Sequence, residues 1–272
     1  MTTSTSRGTA LITGASSGIG AIYADRLARR GHDLILVARN EERLRQLAAR
    51  IEKEHGRKVR VVAADLGDGG GLRRVEAILR DDAGIDVLVN NAGFGLVAPF
   101  LQVDIDRMQA MIDLNVTALT RLAHAAVAAF VARGKGTLVN ISSIVAIGTE
   151  VLNGVYSGSK AYVLALTQAL HNEVAGKGVR VQAVLPGPTA TEFWGVAGMD
   201  HAQLPEGWVM SAEDMVDASL AGLDQGEVVT IPPLQDGEAW LRFDAQRREL
   251  SQQLAASKPG PRYGVGGASG RN

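Results

Sequence analysis

The chain has 272 residues, 46% of them hydrophobic, and sets 28 Lys and Arg against 29 Asp and Glu. That is long enough for one sizeable core, and the near-neutral balance argues against a general nucleic-acid or anionic-membrane surface. Having no cysteine, the chain has no disulfide framework, thiolate zinc site or thiol nucleophile.

The predicted elements alternate between strand and helix. Residues 9–13 (T-A-L-I-T) read as a short apolar strand, followed by G-A-S-S-G-I-G and a helical pattern over 21–30 that Gly31 closes. Residues 34–38 (L-I-L-V-A) are a second strand. Residues 41–55 are a charged amphipathic helix with Leu44, Leu47 and Ile51 inward. A third strand, 59–63, runs to Asp65, and a helix follows over 72–82. A fourth strand, 87–90, enters N-N-A-G. Residues 104–131 form a long apolar-periodic helix, broken or bent near Asn115. Residues 137–141 make a fifth strand leading to Ser142 and Ser143, and 156–175 a helix.

A sixth strand, 179–185, ends at Pro186, and 228–231 suggests a seventh. Between them, 188–210 is irregular, and Ser211-x-x-Asp214 starts a helix in the manner of a capping box. A last helix is expected over 236–255. Continuous apolar strands alternating with helices mean a parallel sheet covered on both faces, here a doubly wound Rossmann-like α/β fold of about seven strands. One domain is expected over residues 1–257, with 258–272 a mobile glycine-rich tail.

Two patterns carry chemistry. The first is G-A-S-S-G-I-G, with Gly14, Ser16, Ser17, Gly18, Ile19 and Gly20 between a strand and a helix N-terminus. Backbone N–H groups and the positive helix end there form a cradle for a pyrophosphate, and glycine admits its close approach. The second is Y-S-G-S-K, with Tyr156 and Lys160 one helical turn apart on one face. A lysine cation at ~5 Å and an effective dielectric of ~20 favours phenolate by ~3 kcal/mol, which brings the phenol toward neutral-range proton exchange.

Together T-G-A-S-S-G-I-G (13–20), N-N-A-G (90–93), Y-S-G-S-K (156–160) and P-G (186–187) resemble, in order, the short-chain dehydrogenase/reductase superfamily. The resemblance spans roughly residues 9–191. Ser143 lies thirteen residues before Tyr156, as that family's catalytic serine does, and Asn115 in D-L-N-V matches its catalytic asparagine. The resemblance implies an oxidoreductase that interconverts a carbonyl and an alcohol by hydride transfer. Tyr156 would be the acid and base. Lys160 would lower the tyrosine pKa and bond the nicotinamide ribose. Ser143 would donate to the carbonyl oxygen, and Asn115 would help hold a water that links Lys160 to solvent. Asp65 and Leu66 match adenine contacts, Asn91, Ala92 and Gly93 line the cofactor, and Pro186, Gly187 and Thr189 lie at the nicotinamide.

At the end of the second strand an NAD site carries a carboxylate; this chain has Ala38, Arg39 and Asn40. Arg39 suits a 2′-phosphate, so the expected cofactor is NADP(H), with Arg43 a second contact or a surface charge. Phe193, Trp194, Met199, Leu204 and Trp208 suggest a lid over a hydrophobic carbonyl or alcohol. The competing readings are a non-catalytic NADP-binding sensor or scaffold on the same fold, and a sugar-nucleotide epimerase. The expected partner is a small molecule, with self-association as a homodimer or homotetramer.

No metal site is expected, since the five histidines form no H-x-H or H-x-x-x-H pair. The start M-T-T-S-T-S-R lacks the apolar core of a signal peptide. No uncharged apolar stretch of roughly 18 residues suggests a membrane span, and a cytoplasmic setting is the default.

Overall fold

A computed structural model describes residues 7–150, 152–199, 201–205 and 207–265. The chain divides into two compact units, Met1–Pro233 and Leu234–Asn272. The first holds seven strands: β1 (Thr9–Thr13), β2 (Asp33–Ala38), β3 (Val59–Ala63), β4 (Ile85–Asn90), β5 (Gly136–Ile141), β6 (Val179–Val184) and β7 (Val229–Thr230). They lie parallel in the order β3-β2-β1-β4-β5-β6-β7. The order reverses between β1 and β4, and ligands of doubly wound sheets bind in the crevice that opens there, at the carboxyl ends of the strands.

Among the described residues this unit has the helices α1 (Gly18–Arg29), α2 (Glu41–His55), α3 (Gly69–Asp81), α4 (Ile105–Ile112), α5 (Leu119–Arg133), α6 (Gly154–Glu173), α7 (Phe193–Ala197) and α8 (Ala212–Gln225). The strands are apolar on both faces, and alternate residues feed two cores. Leu11, Ile35, Leu88 and Leu138 meet Val75 and Leu79 of α3 and Leu122 and Ala126 of α5. Ala10, Ile12, Leu36, Val89 and Val139 meet Tyr23 and Leu27 of α1, Leu44 of α2, and Met215 and Leu220 of α8. This period-two sorting places α1, α2 and α8 on one side and α3 and α5 on the other.

The expected bend near Asn115 is a π-helical turn, Asp113–Ala118, joining α4 to α5. Wide turns of this kind occur as single bulges at functional sites. The helical run Ile105–Arg133 has the length and composition of a membrane span, but half of its most apolar window is buried within the protein. Ser211 caps α8 by accepting from the Asp214 N–H at 2.9 Å, as its sequence predicts. The irregular stretch after β6 contains α7 and a β-bridge between Thr189 and Met210.

The second unit contains α9 (Gly237–Gln252), capped by the Asp236 side chain on the Glu238 N–H. The expected single domain of residues 1–257 takes in this helix. Within the expected tail, Pro261–Tyr263 forms a 3-10 turn, and the rest of the tail from residue 266 lies outside the described residues.

Candidate active site

The glycine turn between β1 and α1 is built by backbone contact. Gly14 has φ +65° and Gly18 φ +51°, left-handed values that suit glycine. A Cβ on Gly20 would stand 2.3 Å from the Gly14 carbonyl oxygen and 2.7 Å from Nδ2 of Asn91. Close packing of α1 on the turn therefore requires glycine there. The turn is tied to the N-N-A-G loop. Thr13 Oγ1 accepts from the N–H groups of Asn91 and Ala92, both at 3.0 Å, and Asn91 Nδ2 donates to the Thr13 carbonyl at 2.9 Å. Thr13 is a positioning residue that sequence reasoning missed, and its only signal was a threonine ending an apolar strand directly before the glycine. Ser16, Ser17 and Ile19 complete the turn, with Ser17 at the N-cap of α1.

Four residues expected to act together do converge at the carboxyl ends of β4, β5 and β6. Ser143 follows β5, with Oγ 3.5 Å from the Pro186 carbonyl and accepting from the Val145 N–H at 3.3 Å. Tyr156 and Lys160 lie on α6, both buried. Lys160 Nζ donates to the Ile141 carbonyl at 2.9 Å and lies 5.8 Å from the Tyr156 ring centre. Asn115 Nδ2 donates to the Phe94 carbonyl at 2.9 Å and its Oδ1 accepts from the Phe94 N–H at 3.1 Å. A Cβ on Gly93 would lie 2.8 Å from Asn115 Oδ1 and 3.8 Å from Lys160 Nζ, so Gly93 sits between them. Behind this group Asn90 Nδ2 donates to Asn140 Oδ1, and Asn140 Nδ2 donates to Thr167 on α6. The chain links three secondary elements and was not anticipated beyond Asn90.

The electrostatics differ from the sequence expectation. Burial pushes the Tyr156 phenol well above its ordinary value, and a hydrogen bond with Ser143 pulls the other way. Burial brings Lys160 down to about 8. A lysine charge 5.8 Å away offers roughly 3 kcal/mol toward phenolate at an effective dielectric of about 20. Burial of the phenol outweighs it, and the ammonium is directed to Ile141 rather than the phenol.

The adenosine end is open. Arg39 is exposed and makes no hydrogen bond or ion pair among the described residues. Asn40 caps α2 by accepting from the Arg43 N–H at 3.0 Å, and the Arg43 side chain pairs with Glu192 at 2.6 Å. Asp65 is exposed and accepts from the Gly67 N–H, while Leu66 is buried in the core. Gly187 and Thr189 extend β6, and the Thr189 carbonyl accepts from the Trp194 indole at 2.8 Å.

A third apolar cluster surrounds Tyr156. It comprises Leu96, Met108, Met111 and Val145, with Phe94 and Phe193 packed against it. The Phe193 ring lies 5.9 Å from that of Tyr156 and stacks edge-on to Trp194 at 5.6 Å. Of the other expected lid residues, Trp208 is 64% exposed, and Met199 and Leu204 are half-buried.

At the opposite end of the strands lies a cavity of about 480 Å³ rimmed by Arg7, Arg30, Lys135 and Arg180. Tyr23 and Val89 beneath it are fully buried, so it is a shallow charged hollow remote from the chemistry. One group of candidate metal donors occurs among the described residues: Asp25, Glu54 and His55. The Asp25 carboxylate already accepts from Arg26, Arg29, Arg50 and His55, which leaves a cation little reason to bind.

Known proteins match this arrangement. Serine 3-dehydrogenase of Agrobacterium fabrum is 39% identical over 188 residues, covering 68% of this chain and 74% of that protein. Among solved structures, a short-chain dehydrogenase from Sphingobium yanoikuyae in complex with NADPH superposes with a TM-score of 0.90. It is 47% identical, over 93% of this chain and 98% of that one. A bulky-bulky ketone specific alcohol dehydrogenase from Comamonas testosteroni gives a TM-score of 0.88 at 44% identity, over 95% and 99% of the two chains. The model of the short chain dehydrogenase family matches residues 8–201, and with the parallel sheet and the motifs at its carboxyl edge, the chain belongs to that family.

Proposed function

We propose that this protein is an NADP(H)-dependent oxidoreductase that interconverts a carbonyl and an alcohol on a hydrophobic small molecule. The observation that carries this reading is the convergence of Ser143, Tyr156, Lys160 and Asn115 beside the glycine turn. A pure binding module needs no buried phenol hydrogen-bonded to a serine.

The residues present fit the cofactor. Gly14, Gly18 and Gly20 allow the tight turn at the N-terminus of α1, where a pyrophosphate would lie, and Asn91, Ala92 and Gly93 follow the strand beside it. Arg39, which makes no hydrogen bond or ion pair among the described residues, offers a cation at the strand end where a 2′-phosphate would lie, and Ala38-Arg39-Asn40 carries no carboxylate there. The similar structure with NADPH supports the same choice. Asp65 and Leu66 follow β3 at the adenine side, and Pro186, Gly187 and Thr189 follow β6 at the nicotinamide side.

The nicotinamide supplies or accepts the hydride. In reduction, Tyr156 holds the proton at its hydroxyl and delivers it to the carbonyl oxygen. Ser143 donates to that oxygen as negative charge grows on it. Lys160 spends one donor on Ile141 and keeps two for the ribose. Asn115 fixes the N-N-A-G loop against the long helix and so places Gly93 beside Lys160. The apolar cluster around Tyr156, with Phe193 over it, favours a hydrophobic carbonyl, as does the ketone specificity of the Comamonas testosteroni enzyme.

The protein works as a homodimer or homotetramer, a reading supported by the largely uncharged α5 and α6; light scattering at micromolar concentration tests it. Oxidation of NADPH, followed optically against ketones, aldehydes and diketones, tests the activity. Turnover on at least one apolar carbonyl is the expected result, and tight NADPH binding with no turnover on a broad panel would favour a sensor.

A further inference from the structure

We propose that Glu192 is a positioning residue that anchors the active-site cover to the cofactor-side wall through Arg43. This rests on the reading of the cleft as a site for cofactor and carbonyl. Three consecutive residues after β6 each reach a different wall of that cleft. Thr191 lies against the glycine turn, where a Cβ on Gly18 would be 3.1 Å from its methyl carbon. Glu192 Oε2 meets Arg43 Nη1 at 2.6 Å, and Arg43 stands in the first turn of α2. Phe193 reaches Gly95, where a Cβ would be 2.5 Å from its ring edge, and packs on Tyr156. The strap therefore crosses from the adenosine end of the cleft to the proton donor.

Only the Glu192 contact is ionic, and it divides labour between the two arginines at this strand end. Arg39 is free for a phosphate. Arg43 is committed to Glu192 by a short charged hydrogen bond. Glu192 directly precedes α7, which opens with Phe193, packed on Tyr156, and Trp194, stacked edge-on to Phe193. Holding Glu192 therefore holds Phe193 over the carbonyl side. The pair is exposed, so its effect is small and must be read by rescue rather than by size.

The experiment uses the full-length protein with Glu192→Gln, Arg43→Glu, and the exchanged pair Arg43→Glu with Glu192→Arg. In the cofactor-free protein, hydrogen exchange of the peptide covering residues 189–199 should quicken about two- to five-fold in Glu192→Gln and return toward wild type in the exchanged pair. KM for the carbonyl should rise by a similar factor in Glu192→Gln, with kcat and the NADPH Kd within about two-fold. Unchanged exchange, or a loss that the exchanged pair does not recover, overturns the proposal. An NADPH Kd that weakens in step with KM also overturns it, since Glu192 would then act on the cofactor. If the wild-type protein reduces no carbonyl, the functional reading fails, and the exchange rates still decide the role of Glu192.

Discussion

Asn115 and Phe94 exchange two hydrogen bonds, side-chain amide to backbone, at 2.9 and 3.1 Å. The Asn115 amide thus joins the loop after β4 to the π-helical turn. Replacing it by leucine removes both bonds and leaves the Phe94 N–H and C=O without partners. The Asn115→Leu protein should lose about 2–4 kcal/mol of stability in chemical denaturation. A loss below about 0.5 kcal/mol would mean that water or backbone replaces the amide.

Tyr156→Phe removes one oxygen and leaves the ring packed against Phe193. NADPH affinity, read by fluorescence titration, should be retained, while reduction falls by ~10²–10⁴-fold. Near-wild-type turnover would show that another group delivers the proton.

Arg39→Asp places a carboxylate where the 2′-phosphate is expected. NADPH binding should weaken by ~1–3 kcal/mol, the scale of a charge-assisted hydrogen bond, with NADH binding not weakened. Equal wild-type affinity for the two cofactors would remove the basis of this assignment.

Gly20→Ala tests the turn by the sign of its effect. Glycine to alanine within a helix normally stabilises by up to about 1 kcal/mol. Here the new Cβ would meet the Gly14 carbonyl at 2.3 Å, with Asn91 on the other side. Overpacking should win and destabilise by ~1–3 kcal/mol, with weaker NADPH binding. A more stable variant would show that α1 can withdraw from the turn.

Lys160 predicts a pH dependence. Its pKa falls from 10.5 to about 8 on burial, so between these values the unfolded chain binds the extra proton. Stability from this group therefore rises with pH across that window, and the burden of the charged form is largest below pH 8. Lys160→Met should raise Tm at pH 7 relative to wild type, by the equivalent of ~3 kcal/mol less the lost bond to Ile141. The gain should shrink toward pH 10.5. A gain constant with pH would point to packing instead.

Most of the strand framework was legible because β1 to β6 are short, mostly apolar runs of five or six residues between turn signals. β1, β3 and α2 match their predicted limits, while α3 begins three residues early because Asp68 caps it by accepting from Gly71. The convergence of Asn115, Ser143, Tyr156 and Lys160 was legible through motif order, since local spacing fixes Tyr156 and Lys160 on one helix face. Three features were not. Arg43 and Glu192 are 149 residues apart, and no local pattern pairs them. The Asn90–Asn140–Thr167 chain joins polar residues that each look ordinary in their own strand or helix. The Tyr156 shift depends on how deeply the phenol is buried, and burial of a side chain by distant segments is not a property of its neighbours in sequence.

The contacts of α1 and α8 bear on how the protein must be completed. Tyr23 bonds Ser219 across 196 residues, Arg26 pairs with Asp217 and Arg30 with Asp224, and Leu27 packs with Leu220. The opposite layer instead draws on α3, α5 and the end of α6, complete by residue 174, with α3 and α5 held by the Glu76–Arg121 ion pair. One side of the sheet is therefore roofed by segments near each other in sequence, and the other waits for almost the last part of the unit. Contacts that distant raise contact order and slow folding. During synthesis, a chain that ends before Ala212 exposes the apolar face of α1, which gives truncated products a surface for aggregation.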